Sequence, residues 1–392
     1  MGQLKGKKDK ETLASQSPGK LSLASQSPGK IVLTGGHAAT TAVAVTEEIK
    51  SAGLGWELYW IGVKDAIEGK KLTTLESEVL PGLGVKFLPL TTGRIQRRFT
   101  VWTIPSILKI PFGTLQAFYY LLKVRPSVVL SFGGFASFPV AICARFLGIP
   151  LVIHEQTSAA GRANLLSAKL ASVIAVSREK SMRFYPSEKC ELTGNPVMEE
   201  ITKVKPKLMP GNPPVIFITG GSRGSQRINA ALEKILKRLL IKYKLIHQTG
   251  GLDYRRFSDI KQKLPQALRD NYEVFIRVNP RKIHEVYRKS DIVVARAGAN
   301  TVSEIMTVRR PAIFIPLPIS YMSEQMENAI VAKDWGIAKI IPQETLTPEI
   351  LLKNIENSID DYSSVVERVK HKKSPDIDAS KKLLRILKAY VK

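Results

Sequence analysis

The sequence predicts an α/β protein built from two doubly wound, Rossmann-like lobes that face a common cleft. Three observations carry that expectation. From Ile31 onward, short apolar runs such as "IVLT", "ELYWIGV", "SVVLSFGG", "PLVIHEQ" and "SVIAVS" alternate with helical stretches, the pattern of parallel strands covered on both faces. A proline- and lysine-rich stretch, "ITKVKPKLMPGNPP" at 201–214, then breaks the pattern, as a linker does. Beyond it the alternation restarts with "VIFITGGSRGSQRINAALEKIL", "KLIHQTGG", "DIVVARAGANTVSEIM" and "PAIFIPLP".

In chain order, residues 1–29 read as a disordered basic tail. The octapeptide "LASQSPGK" occurs there twice, at 13–20 and 23–30, and such a composition buries no core. Residues 30–198 form the N-terminal lobe, 199–213 the linker and 214–372 the C-terminal lobe. Residues 373–392 make a last helix expected to pack back on the first lobe. A chain of 392 residues with 44% hydrophobic content sustains two cores.

The charge narrows the partners. With 59 Lys+Arg against 34 Asp+Glu the net charge is +25, which favours a polyanion: nucleic acid, an anionic membrane face or phosphorylated substrates. Nucleic acid is not expected, because no zinc-finger or RNP signature and no aromatic-interleaved basic stripe is present. Two cysteines, Cys143 and Cys190, build neither a disulfide framework nor a Cys-based metal cluster. The reading is of a cytoplasmic protein with no signal peptide and no membrane span.

Each lobe carries a glycine-rich turn between its first strand and first helix, "LTGGHAATTAVAV" and "FITGGSRGSQRIN". Such turns either tighten a βα connection or let backbone N–H groups and a helix N-terminus hold phosphate. His37, at the first turn, either caps it or acts as a general base. The remaining histidines lack metal-ligand spacing, and no metal is expected. In "ARAGANTVSEIM", Thr301 and Glu304 have the spacing of a capping box, while Glu304 also suits the two hydroxyls of a ribose. "PLPISYMSEQMENA" sends Glu324, Gln325 and Asn328 off a strand end, either into the cleft or into an ordinary solvated loop. Between 93 and 123, Arg97, Arg98 and Lys109 mix with Phe99, Trp102, Ile107 and Phe112. That mixture suits either a membrane-surface patch or a half-buried helix with a basic outer face.

Taken in order, these motifs resemble the MurG family of GT-B glycosyltransferases. The resemblance runs from about Gly29 to near the end of the chain. It rests on "TGGH" at 34–37, "SFGGFASFP" at 131–139, "GIPLVIHEQ" at 148–156, "TGNPV" at 193–197, "GGSRGS" at 220–225, "HQTG" at 247–250, "RAGANTVSE" at 296–304, and "IPLP" with "QMENA". It implies inverting transfer of N-acetylglucosamine from UDP-GlcNAc to the lipid-linked acceptor lipid I, with no resident cofactor. It also implies work at the cytoplasmic face of an anionic inner membrane, as a peripheral protein and beside other cell-wall synthesis proteins.

By the same resemblance, Gly133, Gly134, Phe135, Glu155 and Gln156 face the acceptor, and Thr34, Gly35 and Gly36 reach both substrates. Ser222 contacts the UDP phosphates, Pro280 or its neighbours the uracil, and Ala299, Asn300, Thr301, Val302, Ser303 and Glu304 wrap ribose and phosphate. Glu324 and Gln325 face the donor sugar. The chain departs from the family pattern at two positions that the resemblance places against the donor, Thr157 (usually Asn) and Met198 (usually Arg), and at Glu324 (usually His or Gln) and Val32-Leu33 (usually with another Gly-Gly). Arg223, beside Ser222, is the expected substitute for the cation missing at Met198. The departures keep three alternatives in view: a related transferase with another UDP-hexose or lipid acceptor, a UDP-GlcNAc epimerase, and a binding paralogue without turnover.

Overall fold

The computed structural model describes Met1 and residues 28–36, 38–67, 70–93 and 103–391, with backbone alone at 66, 67, 70–72 and 103–107. Among the described residues fifteen strands appear in chain order. In the N-terminal lobe these are β1 (Lys30–Thr34), β2 (Glu57–Gly62), the arms β3 (Asp65–Ile67) and β4 (Lys70–Thr73) of a small antiparallel ribbon, β5 (Lys86–Pro89), β6 (Val128–Ser131), β7 (Leu151–Glu155), β8 (Val173–Val176) and β9 (Cys190–Leu192). The C-terminal lobe holds β10 (Val215–Thr219), β11 (Lys244–Gln248), β12 (Tyr272–Phe275), β13 (Ile292–Ala295), β14 (Ala312–Phe314) and β15 (Ala338–Ile340). The helices that shape the site are α1 (Ala39–Ser51), α2 (Thr103–Val124), α3 (Ser137–Phe146), α4 (Gln226–Lys242), α5 (Ala299–Val308), α6 (Glu324–Trp335) and α7 (Ala379–Lys388).

Each lobe has one parallel sheet, ordered β5-β2-β1-β6-β7-β8-β9 and β12-β11-β10-β13-β14-β15. Central strands such as Ile292–Ala295 are buried at every position, because helices cover both faces and an unbroken apolar run is then the stable choice. In each sheet the chain winds outward one way from the first strand and the other way from its neighbour. The reversals fall between β1 and β6 and between β10 and β13. A crevice opens at the C-terminal ends of strands at such a reversal, and ligands of doubly wound folds bind there. Both glycine turns lie at these two points.

One apolar core runs through both lobes, joining Leu33 and Trp60 to Met198, Ile201, Phe217 and Phe314. The stretch 199–213 opens with a short helix, Glu199–Thr202, whose Ile201 belongs to this core. After the second sheet the chain returns, and α7 packs against α1. Its buried Leu383, Leu384 and Leu387 recur at helical spacing and complete the core beneath the first lobe.

Candidate functional site

On the N-terminal side of the cleft the two glycine loops interlock. The Gly36 N–H donates to the Gly133 carbonyl at 2.9 Å, and Gly134 adopts φ +90°, where a Cβ would meet Gly36 N at 2.8 Å. Thr34 is fully buried, its hydroxyl donating to the Ile61 carbonyl at 2.8 Å. Gly35 is buried, close against Phe132 and Trp60, and Gly36 is half-buried. His37 lies outside the described residues; the adjoining Ala38 N–H donates to Glu76 Oε1 at 2.8 Å.

The strand-end cluster divides its labour. His154 is sealed in the core, bonded to the Gly194 carbonyl at 3.1 Å, and burial lowers its pKa to about 4, so it stays neutral. Glu155 is also buried, and it works on its own loop. It accepts from the N–H and hydroxyl of Thr157 (3.1 and 2.9 Å), Gly161 N (2.8 Å), Asn164 Nδ2 (3.0 Å) and the Tyr185 hydroxyl (2.7 Å). Thr157 is thus turned onto Glu155 and onto the Ala159 carbonyl. Of this cluster Gln156 stands at the cleft, accepting from the Thr41 hydroxyl at 3.2 Å. Phe135 packs, half-buried, against the outer core of the lobe.

Across the cleft the turn 220–225 leads into α4, whose N-cap is Ser225. Arg223 therefore sits in the turn, exposed beside Ser222 and outside the helix. Gly224 adopts φ +76°, with its α-carbon so close to β11's following loop that a Cβ would meet the Thr249 carbonyl at 2.0 Å. Gln248, which sequence reasoning passed over, ties three segments together. Its Nε2 donates to Thr219 Oγ1 (2.9 Å) and the Gly221 carbonyl (2.8 Å), and its Oε1 accepts from Val278 N (2.8 Å), two residues before the half-buried Pro280. Beneath the turn, Asn229 is held by His247, Asp253 and the Thr249 carbonyl.

Helix α5 is capped by Gly298 without a side-chain bond. The expected Thr301–Glu304 capping box is absent, because Glu304 turns away and accepts from the Tyr287 hydroxyl at 2.7 Å. Burial raises the Glu304 carboxyl to about 7, the tyrosine bond pulling the other way. Val302 packs in the core and its N–H is spent on the Gly298 carbonyl. The amides of Ala299, Asn300 and Thr301 are those a helix start leaves without intrahelical acceptors.

The lobes are stitched together at this helix. Asn300 Nδ2 donates to Thr40 Oγ1 on α1, and its Oδ1 accepts from the Thr41 hydroxyl at 3.0 Å and Asn195 Nδ2 at 2.9 Å. Ser303 faces the hinge, accepting from Asn195 Nδ2 (3.2 Å) and Arg178 Nη2 (3.0 Å). Arg178 grips Asp376 with both nitrogens, at 2.6 and 2.7 Å. Asn328 on α6 accepts from Ser158 N at 3.0 Å. Gln325 folds back onto Leu317 N, and Glu324, half-buried, begins α6.

Residues 34–176 match the glycosyltransferase family 28 N-terminal domain, and residues 215–383 match the family's C-terminal domain. A UDP-N-acetylglucosamine--N-acetylmuramyl-(pentapeptide) pyrophosphoryl-undecaprenol N-acetylglucosamine transferase of Clostridium kluyveri is 30% identical over 92% of this chain and 99% of its own. A Clostridium perfringens protein of the same name is 30% identical over 83% of this chain and 89% of its own. The chain belongs to the MurG family. The GT-B architecture agrees: the crystal structure of Acinetobacter baumannii MurG superposes with a TM-score of 0.63 at 23% identity, covering 92% of this chain and all of that one. The kitacinnamycin glycotransferase gives 0.68 at 15% identity, covering 93% and 100%.

Against the MurG pattern, Met198 is the departure with the clearest structural meaning. It is 4% exposed and packed in the core shared by the lobes, a place no charged side chain fits without a partner. The basic-apolar segment is seen in part. Arg97, Arg98, Phe99 and Trp102 lie outside the described residues, and of Ile107 only the backbone is described. Lys109 is half-buried and Phe112 exposed. Within the same segment, Leu108, Leu115, Tyr119 and Leu122 continue an exposed stripe along α2. Phe146, 80% exposed at the end of α3, meets α2 through Phe118 at a ring distance of 6.0 Å. Among the described residues no helix is long and apolar enough to cross a membrane.

Proposed function

We propose that this protein transfers N-acetylglucosamine from UDP-GlcNAc to the MurNAc hydroxyl of lipid I, forming lipid II for peptidoglycan. The observation that carries the reading is the near full-length match to transferases bearing that activity in their names. The geometry supports it, because two switch-point crevices face each other and the C-terminal one is framed by two helix N-termini suited to a diphosphate.

In this reading UDP lies on the turn 220–225 and on the amides of Ala299 to Thr301, its ribose diol on Glu304 and its base near Pro280. The acceptor enters over Gly133–Gly134 and Gln156. The acceptor oxygen attacks the anomeric carbon, its proton passes to His37, and the bond to the β-phosphate breaks with the electron pair leaving on UDP. The stripe on α2 supports peripheral docking at the cytoplasmic leaflet, where the lipid carrier resides. The test is UDP release with UDP-GlcNAc and a short-chain lipid I analogue, run beside UDP-GalNAc and UDP-glucose. Acceptor-dependent release from UDP-GlcNAc alone is expected; release preferring another sugar, or binding of UDP without turnover, refutes it. His37→Ala is expected to abolish turnover while leaving UDP binding intact.

A further inference from the structure

Arg296 follows β13 directly and is 9% exposed. Its Nη1 donates to the carbonyls of Ile315 (2.8 Å) and Pro316 (3.2 Å), and its Nη2 donates to Ser225 Oγ (2.8 Å) and Gln343 Oε1 (2.5 Å). All four acceptors are neutral. Among the described residues no carboxylate lies within ion-pair reach of it, and its closest charged influence is another cation, Arg227. Buried guanidinium groups are ordinarily paired with an anion.

The surroundings add to the imbalance. Ser225 is the N-cap of the 17-residue α4, and α5 begins three residues after Arg296. Two helix starts, each equivalent to roughly half a positive charge, therefore converge on a buried cation. That arrangement is self-repulsive until a multiply charged anion enters. Position 198 holds a buried methionine and Arg223 is exposed on the turn, so the buried charge at this turn is that of Arg296.

We propose that Arg296 is the positioning residue for the donor's diphosphate: it clamps the turn at Ser225 to the Ile315–Pro316 and Gln343 loops and supplies the buried charge that the diphosphate balances. This rests on the donor site described above and takes over, from inside the lobe, the cationic role missing at Met198. A structural strut alone would affect every ligand of the cleft alike. A charge aimed at the diphosphate affects only ligands that carry one.

The experiment compares uridine, UMP and UDP binding by calorimetry to the full chain and to Arg296→Gln, which keeps amide donors and removes the charge. UDP is expected to weaken about tenfold or more, the scale of a lost charge-assisted bond, with UMP intermediate and uridine within twofold of wild type. Arg296→Lys is expected to recover part of the loss, and added salt to narrow the difference. Equal losses for uridine and UDP, or no loss for UDP, overturn the proposal. Wild-type protein that binds no UDP refutes the donor site itself. If Arg296→Gln does not fold, Gln343→Leu carries the test. It removes one acceptor and keeps the charge, so UDP weakens severalfold with uridine unchanged; an unchanged UDP affinity there overturns the clamp.

Discussion

Replacing Asp376 with alanine tests how the lobes are joined. The Asp376 side chain is fully buried and Arg178 is 10% exposed, so the bidentate pair at 2.6 and 2.7 Å is desolvated. Asp376 also accepts from Asn195 N at 2.8 Å. Removing the carboxylate strands a buried guanidinium that keeps hydrogen bonds to the Ser177 carbonyl and the Ser303 hydroxyl. Breaking a buried pair from one side costs about 3–5 kcal/mol. At about 2–4 °C of Tm per kcal/mol for a lobe of this size, the midpoint falls by roughly 6–20 °C. The assay is thermal unfolding by circular dichroism of wild type, Asp376→Ala, Arg178→Met and the double variant. The reasoning requires the double variant to lose clearly less than the two single losses summed, because an apolar pair leaves no stranded charge. Additive losses, or a single-variant loss under about 1 kcal/mol, a value usual for exposed pairs, refute it.

Glu304 gives a pH prediction. Its carboxyl ionises near 7 in the folded protein against an ordinary 4.5. The free protein therefore holds it protonated below about pH 7, and only the ionised form offers both oxygens to a diol. UDP affinity is expected to fall as pH drops through that value, and Glu304→Gln to bind weakly with a flat profile. The same shift makes folding less favourable as pH rises from 4.5 to 7, because the unfolded chain ionises first; urea midpoints across that range check the sign. Gly224→Ala places a Cβ 2.0 Å from the Thr249 carbonyl at a left-handed φ, so loss of UDP binding by calorimetry is expected. Leu115→Glu with Tyr119→Glu, on the exposed face of α2, is expected to reduce co-sedimentation with phosphatidylglycerol vesicles while leaving UDP affinity unchanged.

The alternation of strand and helix in the sequence was enough to read the inner strands of both sheets, though not the edge strands β5, β9, β12 and β15, and the glycine turns fell where the winding reverses. These features are local, set by the side chains of a few adjacent residues. What escaped was built from separated partners. Arg178 and Asp376 stand 198 positions apart, and nothing near either residue signals the other. Arg296 read as part of a motif, its burial invisible until the Ile315 and Gln343 loops closed over it. Thr301 and Glu304 had the spacing of a cap, but Tyr287 offered Glu304 a buried hydroxyl, and tertiary contact overrode the local pattern. Glu155 looked like a ligand group and is spent on its own loop.

The return of α7 to the first lobe governs the order in which the molecule can be made. Leu383 and Leu387 belong to the same core as Leu33 and Trp60, and Val391 lies against Gly29, where a Cβ would come within 2.2 Å of it. A ribosome that has finished the first nine strands has released a lobe with its underside still open. That surface stays exposed through synthesis of residues 193–378, which include the whole second lobe. The core of the first lobe is therefore completed only when α7 emerges.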